Sequence, residues 1–237
     1  MEIARELQSL KDPIKAKNLA RFFKTGKGEY GQGDVFLGIT VPRQRTVAKK
    51  YSDLSFTELQ QLLSGKIHEY RLTALLILIS QFRKADLSTK KAIVNFYLKN
   101  TTNINNWDLV DLSAPSILGE YLLDKDKGIL LKLTRSPRLW ERRIAVLASF
   151  QLIKNYRFIE SLKIAQILLK DKHDLIHKAV GWMLREIGKR NIAVEEQFLR
   201  KFSSQMPRTM LRYAIEKFPE SQRLAFLDNS SPQKGKS

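Results

Sequence analysis

In the run Asn106-Trp107-Asp108-Leu109-Val110-Asp111, an indole and two carboxylates fall close together. On a helix Trp107 and Asp111 stand four positions apart and share a face. That row continues through Ala114 and Leu118, both apolar. A carboxylate in a half-apolar row is costly unless it is paired or put to use. Asp111 is therefore either one half of a structural ion pair or a group with chemistry to perform. Asp108 lies on another azimuth near the start of the segment, where it suits a cap or the helix dipole.

A second concentration surrounds Trp182. The row Leu175, Ile176, Ala179, Val180, Met183, Leu184 and Ile187 has the spacing of a buried helix face. The opposite row is Lys178, Trp182, Arg185 and Lys189, so an indole sits among three cations on the non-core side. Such a surface suits phosphates together with sugar or base faces. The same Trp could instead pack on a neighbouring helix, with lysine stems lying over it. Arg143 falls in the row Leu139, Arg143, Val146, Leu147 and Phe150. A guanidinium among apolar neighbours calls for a carboxylate, Asp111 being one candidate, or for a phosphate. Trp140 leads into Ile144 and Leu147 and reads as core.

Other patterns exclude more than they suggest. His173 and His177 have metal-compatible spacing but no third ligand of equal quality and no HExxH pattern. Tyr30-Gly31-Gln32-Gly33-Asp34 lacks the GK[ST] ending of a phosphate loop. No Ser/His/Asp order suggests a hydrolase of that kind. With no cysteine in the chain, disulfides, thiolate zinc sites and thiol nucleophiles are ruled out.

The elements that must position these groups are helical almost throughout. Segments 67–82, 87–99, 133–154, 158–170 and 175–189 all show apolar residues at helical spacing. The one β-leaning run, Asp34–Pro42, is too isolated to make a sheet. About a dozen helices joined by short loops suggest antiparallel pairs, and degenerate repeats of about 35–45 residues fit the spacing. The expected architecture is all-α: helix pairs stacked as a HEAT-like α-solenoid with a concave basic face. It forms one domain over residues 1–227, followed by a disordered tail over 228–237. No apolar run approaches the length of a membrane span, and the charged N-terminus lacks a secretory block. A cytoplasmic protein is expected. The 237-residue chain has 42 Lys and Arg against 24 Asp and Glu, a net charge of +18. That excess attracts polyanions, of which nucleic acid is the commonest. The cations are spread along the chain, so the binding surface belongs to the fold and not to a tail.

Taken together these residues resemble the AlkD-type family of DNA alkylation repair proteins. The likeness rests on three blocks: Tyr30 to Pro42, with Arg45 and Ala48-Lys49-Lys50-Tyr51 behind it; Trp107 to Asp111, running on to Pro115 and Gly119; and Lys178 to Glu186. Trp140 and Arg143 add a further point. The resemblance implies a HEAT-like solenoid and a DNA glycosylase that releases alkylated, cationic purines such as 3-methyladenine and 7-methylguanine. It implies that Asp111 is catalytic, that Trp107 and Trp182 flank the lesion, and that Arg143 holds the DNA backbone. Phe22 stands where the family glycosylase has a Tyr, so the aromatic face is kept and the hydroxyl lost. Phe22, Lys178, Arg185 and Lys189 join the expected DNA-binding set. Double-stranded DNA is the implied partner, with no cofactor and no metal, and a monomer is expected. Two further departures are Asp174-Leu175 in place of an aromatic pair and a longer Tyr30–Gly38 segment, which is either an extra DNA contact or a connection. The alternatives are a family member that binds branched or damaged DNA without excising a base, and a repeat scaffold with no nucleic acid role.

Overall fold

The computed structural model describes residues 1–229. It is all-helical: fourteen α-helices and a few short 3₁₀ or π turns, and among the described residues only one isolated β-bridge, between Val35 and Ile67. The β-leaning run thus forms a single backbone ladder step. The last helix runs through Asn229, so positions 228 and 229 are helical; residues 230–237, the remainder of the expected tail, lie outside the described residues.

The chain divides into two compact units, the first Met1–Ile117 and the second beginning at Leu118. The first holds α1 (Glu2–Ser9), α2 (Pro13–Phe22), α3 (Val41–Lys50), α4 (Phe56–Leu63), α5 (His68–Lys84), α6 (Leu87–Lys99) and α7 (Trp107–Ala114). The caps explain the breaks. Asp12, Ser55 and Asp86 accept from backbone amides at the starts of α2, α4 and α6, and Ser55 with Glu58 completes a capping box. α5 is buried on nearly all sides and forms the centre of this unit. α3, α4, α6 and α7 pack on it, so α3, α5 and α7 stand in a row.

The second unit holds α8 (Gly128–Thr134), α9 (Leu139–Lys154), α10 (Ile159–Ile167), α11 (Asp174–Gly188), α12 (Ile192–Phe202), α13 (Arg208–Ala214) and α14 (Glu220–Asn229). The continuous helical pattern over 133–154 is broken at Arg135–Arg138, where Ser136-Pro137 stops α8. α9 packs on α11 and α11 on α13, with α8, α10 and α12 filling the other layer. Helices two apart in sequence thus stack within the unit, as helical repeats do. α11 and α13 approach closely because position 181 is glycine: a Cβ there would stand 2.4 Å from the Met210 carbonyl oxygen and 2.5 Å from Tyr213 Cβ. No described helix is long and apolar enough to cross a membrane.

Candidate DNA-facing site

α7 is eight residues long. Asn106 caps it, its side-chain oxygen accepting from the Trp107 amide at 2.8 Å. Pro115 ends it, since proline has no N–H to donate to the Asp111 carbonyl, and the chain widens into a π turn over Pro115–Gly119. Trp107 and Asp111 project from α7 one turn apart, both half-buried.

Aromatic rings surround Trp107. Phe22, at the end of α2, meets it edge-on at 5.9 Å and is 63% exposed. Phe23 stacks on it at 5.1 Å. Phe23 stacks in turn on Phe36 at 5.1 Å, and Phe36 on His68 at 4.5 Å. The indole Nε1–H reaches the Tyr30 hydroxyl at 3.3 Å. The structure thus brings Phe22 and Trp107, two of the residues expected to bind DNA, into ring contact within this unit.

Beneath the rings lies a buried ionic cluster absent from the sequence reading. His68 Nδ1 is 3.2 Å from Asp34 Oδ2, and its Nε2 is 2.8 Å from Asp108 Oδ2. Arg71 Nη2 lies 2.6 Å from Asp34 Oδ1. Asp108 also accepts from the Leu109 amide at 2.8 Å, the capping role expected of it. Burial works against a charged His68, but the bonds to Asp108 and Asp34 outweigh it and its pKa is raised. Burial likewise opposes a charged Asp34, yet His68 and Arg71 hold its pKa below the ordinary value. The adjacent Glu69 carboxylate accepts from the Leu37, Gly38 and Ile39 amides at 2.9, 2.8 and 3.3 Å. The Gly-rich segment is thus fastened to α5. Gly38, with φ +86°, lets it cross the start of α2, where a Cβ would come 2.1 Å from the Asp12 carbonyl oxygen.

The row of α3, α5 and α7 also presents a basic groove of about 520 Å³. Arg45 and Lys49 come from α3, Arg83 and Lys84 from the end of α5, and Leu112 and Ser116 from beside Asp111. None of these four cations is in an ion pair among the described residues. Lys and Arg left without carboxylates around a groove suit phosphate oxygens. Arg83 and Lys84 were not singled out from the sequence. Only packing brings them to Arg45 and Lys49.

In the second unit, Arg143 on α9 is 5% exposed and donates to the Leu175 carbonyl of α11 at 2.5 Å. Its apolar row is confirmed, and a backbone carbonyl answers part of its charge. Trp182 is half-buried, 6.0 Å from Phe150, and its Nε1 donates to Glu186 at 3.3 Å. The three cations flanking it are each in an ion pair: Lys178 with Asp174 at 2.7 Å, Lys189 with Glu186 at 2.6 Å, and Arg185 with Glu216. The outward row is real, but its charge is met by acids of α11 itself and of the turn after α13. Trp140 is half-buried, less enclosed than a core residue. His173 caps α11 through its Nδ1, and His177 bonds the Asp171 carbonyl at 2.5 Å. Both histidines are used in fixing the start of α11. Among the described residues no three His, Cys, Asp or Glu gather as a metal site would require.

The described helices make a helical-repeat framework that carries aromatic and basic groups on alternate helices. Residues 3–218 match the model of the DNA alkylation repair enzyme family, and the chain belongs to that family. Among solved structures it is similar to a "predicted DNA alkylation repair enzyme" from Enterococcus faecalis, with 18% identity, a TM-score of 0.69, and coverage of 89% of this chain and 97% of that one. At that identity the likeness speaks for the fold alone. No curated protein matches the chain.

Proposed function

We propose that the protein is a monofunctional DNA glycosylase that hydrolyses the N-glycosidic bond of alkylated, cationic purines in double-stranded DNA, acting as a monomer. The observation that carries this reading is the arrangement on α7. A half-buried carboxylate, Asp111, stands one turn from an indole, Trp107, which meets an exposed ring, Phe22. Asp111 is followed at once by the wall of a groove whose cations lack acidic partners.

Alkylation at N3 or N7 leaves the purine positively charged and weakens its bond to the sugar. Departure of the base produces an oxocarbenium-like deoxyribose. A carboxylate beside that sugar stabilises the developing cation and orients or deprotonates the attacking water. The faces of Trp107 and Phe22 present negative potential to a cationic nucleotide. Arg45, Lys49, Arg83 and Lys84 contact phosphates; in the second unit, taken by itself, Arg143 and the Trp182 helix have a DNA-binding role of their own.

Incubation with methylated DNA and measurement of free 3-methyladenine and 7-methylguanine tests the proposal. Release of either by wild type and of neither by Asp111→Asn supports it; no release by wild type refutes it. The ion pairs of Lys178, Arg185 and Lys189 favour a second reading, in which the protein binds damaged or branched DNA without excision. Tight binding to such DNA with no base released would establish that alternative.

A further inference from the structure

We propose that His68 is a positioning residue: clasped between Asp34 and Asp108, it fixes the first turn of α7 against the Gly-rich segment and so sets where Trp107 and Asp111 stand. The kinetic part of this inference rests on the glycosylase reading; the structural part does not.

Both ring nitrogens of His68 face carboxylates, Asp34 at 3.2 Å and Asp108 at 2.8 Å. Only an imidazolium can donate to both; a neutral ring turns a lone pair towards one of them. The other charged groups around it are Arg71, paired with Asp34, and Glu69, engaged with the amides of 37–39. Loss of the His68 proton leaves Asp34 and Asp108 with Arg71 as their remaining cation. Asp108 is the second residue of α7, and its other oxygen already holds the Leu109 amide. Trp107, the first, is held through Tyr30 to the same Gly-rich segment that carries Asp34. Asn105 reaches Asp34 at 3.4 Å. Phe36 stacks on the imidazole, and Phe23 lies 5.1 Å from both His68 and Trp107. Alongside the Asn106 cap and the Tyr30 bond, the buried ties at the start of α7 thus meet at one histidine. A cavity of about 270 Å³ with Phe22, His68 and Asp108 in its walls gives protons a route to the ring. Because the bonds to Asp108 and Asp34 raise the His68 pKa above its ordinary value, the clasp is complete below that raised pKa and opens as pH rises through it.

The test uses full-length protein labelled with ¹⁵N at tryptophan, followed by NMR across pH beside the His68 imidazole signals. The Trp107 indole resonance is expected to move with the midpoint of His68, and His68→Gln to hold it near its alkaline position at every pH. The Trp140 and Trp182 resonances serve as controls and stay in place. On methylated DNA, His68→Gln is expected to lower kcat about 10- to 100-fold, with KM little changed. An alkaline fall in kcat is expected in wild type and not in the variant. A Trp107 resonance indifferent to both the titration and the substitution overturns the proposal, as does a wild-type pH profile in His68→Gln. Should His68→Gln fail to fold, the wild-type titration alone decides, with Tyr30→Phe breaking the Trp107 tie independently. If wild type releases no base, the glycosylase reading fails while the indole measurement still settles the role of His68.

Discussion

Glu195 on α12 is only 2% exposed, and its Oε1 has no hydrogen-bond partner. The carboxyl lies against the backbone of α11 at Gly188, where a Cβ would stand within bonding distance of Oε2. Burial pushes its pKa up, Arg185 only partly opposing, to about 8 from an ordinary 4.5. The folded state therefore holds a proton that the unfolded chain gives up, and stability falls as pH rises from 4.5 to 8. At about 1.4 kcal/mol per unit, Glu195→Gln, which cannot ionise, should exceed wild type by roughly 1 kcal/mol at pH 5, 3 at pH 7 and 5 at pH 9. Urea denaturation at the three values measures the difference directly, and each kcal/mol corresponds to about 2–4 °C in Tm. A constant gap across pH would mean that Glu195 is ionised in the fold, and would refute the reasoning. The point bears on α11, because a neutral Glu195 leaves Arg185, beyond Trp182 in the same row, answering to Glu216 alone.

Asp111→Asn keeps the shape and removes the charge, so base release should fall by about 10²- to 10³-fold while DNA affinity, measured by fluorescence anisotropy, is unchanged. Arg45→Ala and Arg83→Ala should each reduce the slope of log K against log salt by about 1 and weaken binding to any sequence alike. Arg143→Ala should weaken both excision and binding, and because it also strips the Leu175 carbonyl of a donor, thermal melting should show a loss of about 1–3 kcal/mol. Gly181→Ala forces a methyl against Met210 and Tyr213 where α11 meets α13, so a destabilisation of about 1–3 kcal/mol is expected in urea.

The helices were legible because their apolar rows repeat at helical spacing. α6 and α11 lie where the pattern puts them to within a residue. Boundaries were lost where a short polar break, as at Ser136-Pro137, interrupts an otherwise continuous row. In the candidate site, Trp107 and Asp111 were visible because an indole and an acid in one half-apolar row are individually odd. Arg143 stood out for the same reason. His68 did not: its partners Asp34 and Asp108 lie 34 and 40 residues away, and no local pattern announces them. The ion pairs around Trp182 divide along the same line. Lys178–Asp174 and Lys189–Glu186 are one turn apart and readable, whereas Glu216 reaches Arg185 only through the packing of α13 on α11.

Why a protein should bury Asp34, His68, Arg71 and Asp108 together follows from the weakness of α7 as a helix. Eight residues are well below the length at which an isolated helix holds itself together. Its far end has lost a backbone bond to Pro115. Apolar packing through Leu109, Val110 and Ala114 can seat such a segment but tolerates small slides along its axis. A bonded charge network does not, since each displacement leaves a buried charge partly unanswered. Such a network adds little to stability when compared with apolar groups of the same shape. What it fixes is register. On α7 register is the quantity that matters, because the proposed roles of Trp107 and Asp111 require the first turn to stay where Asn106, Asp108 and Tyr30 hold it.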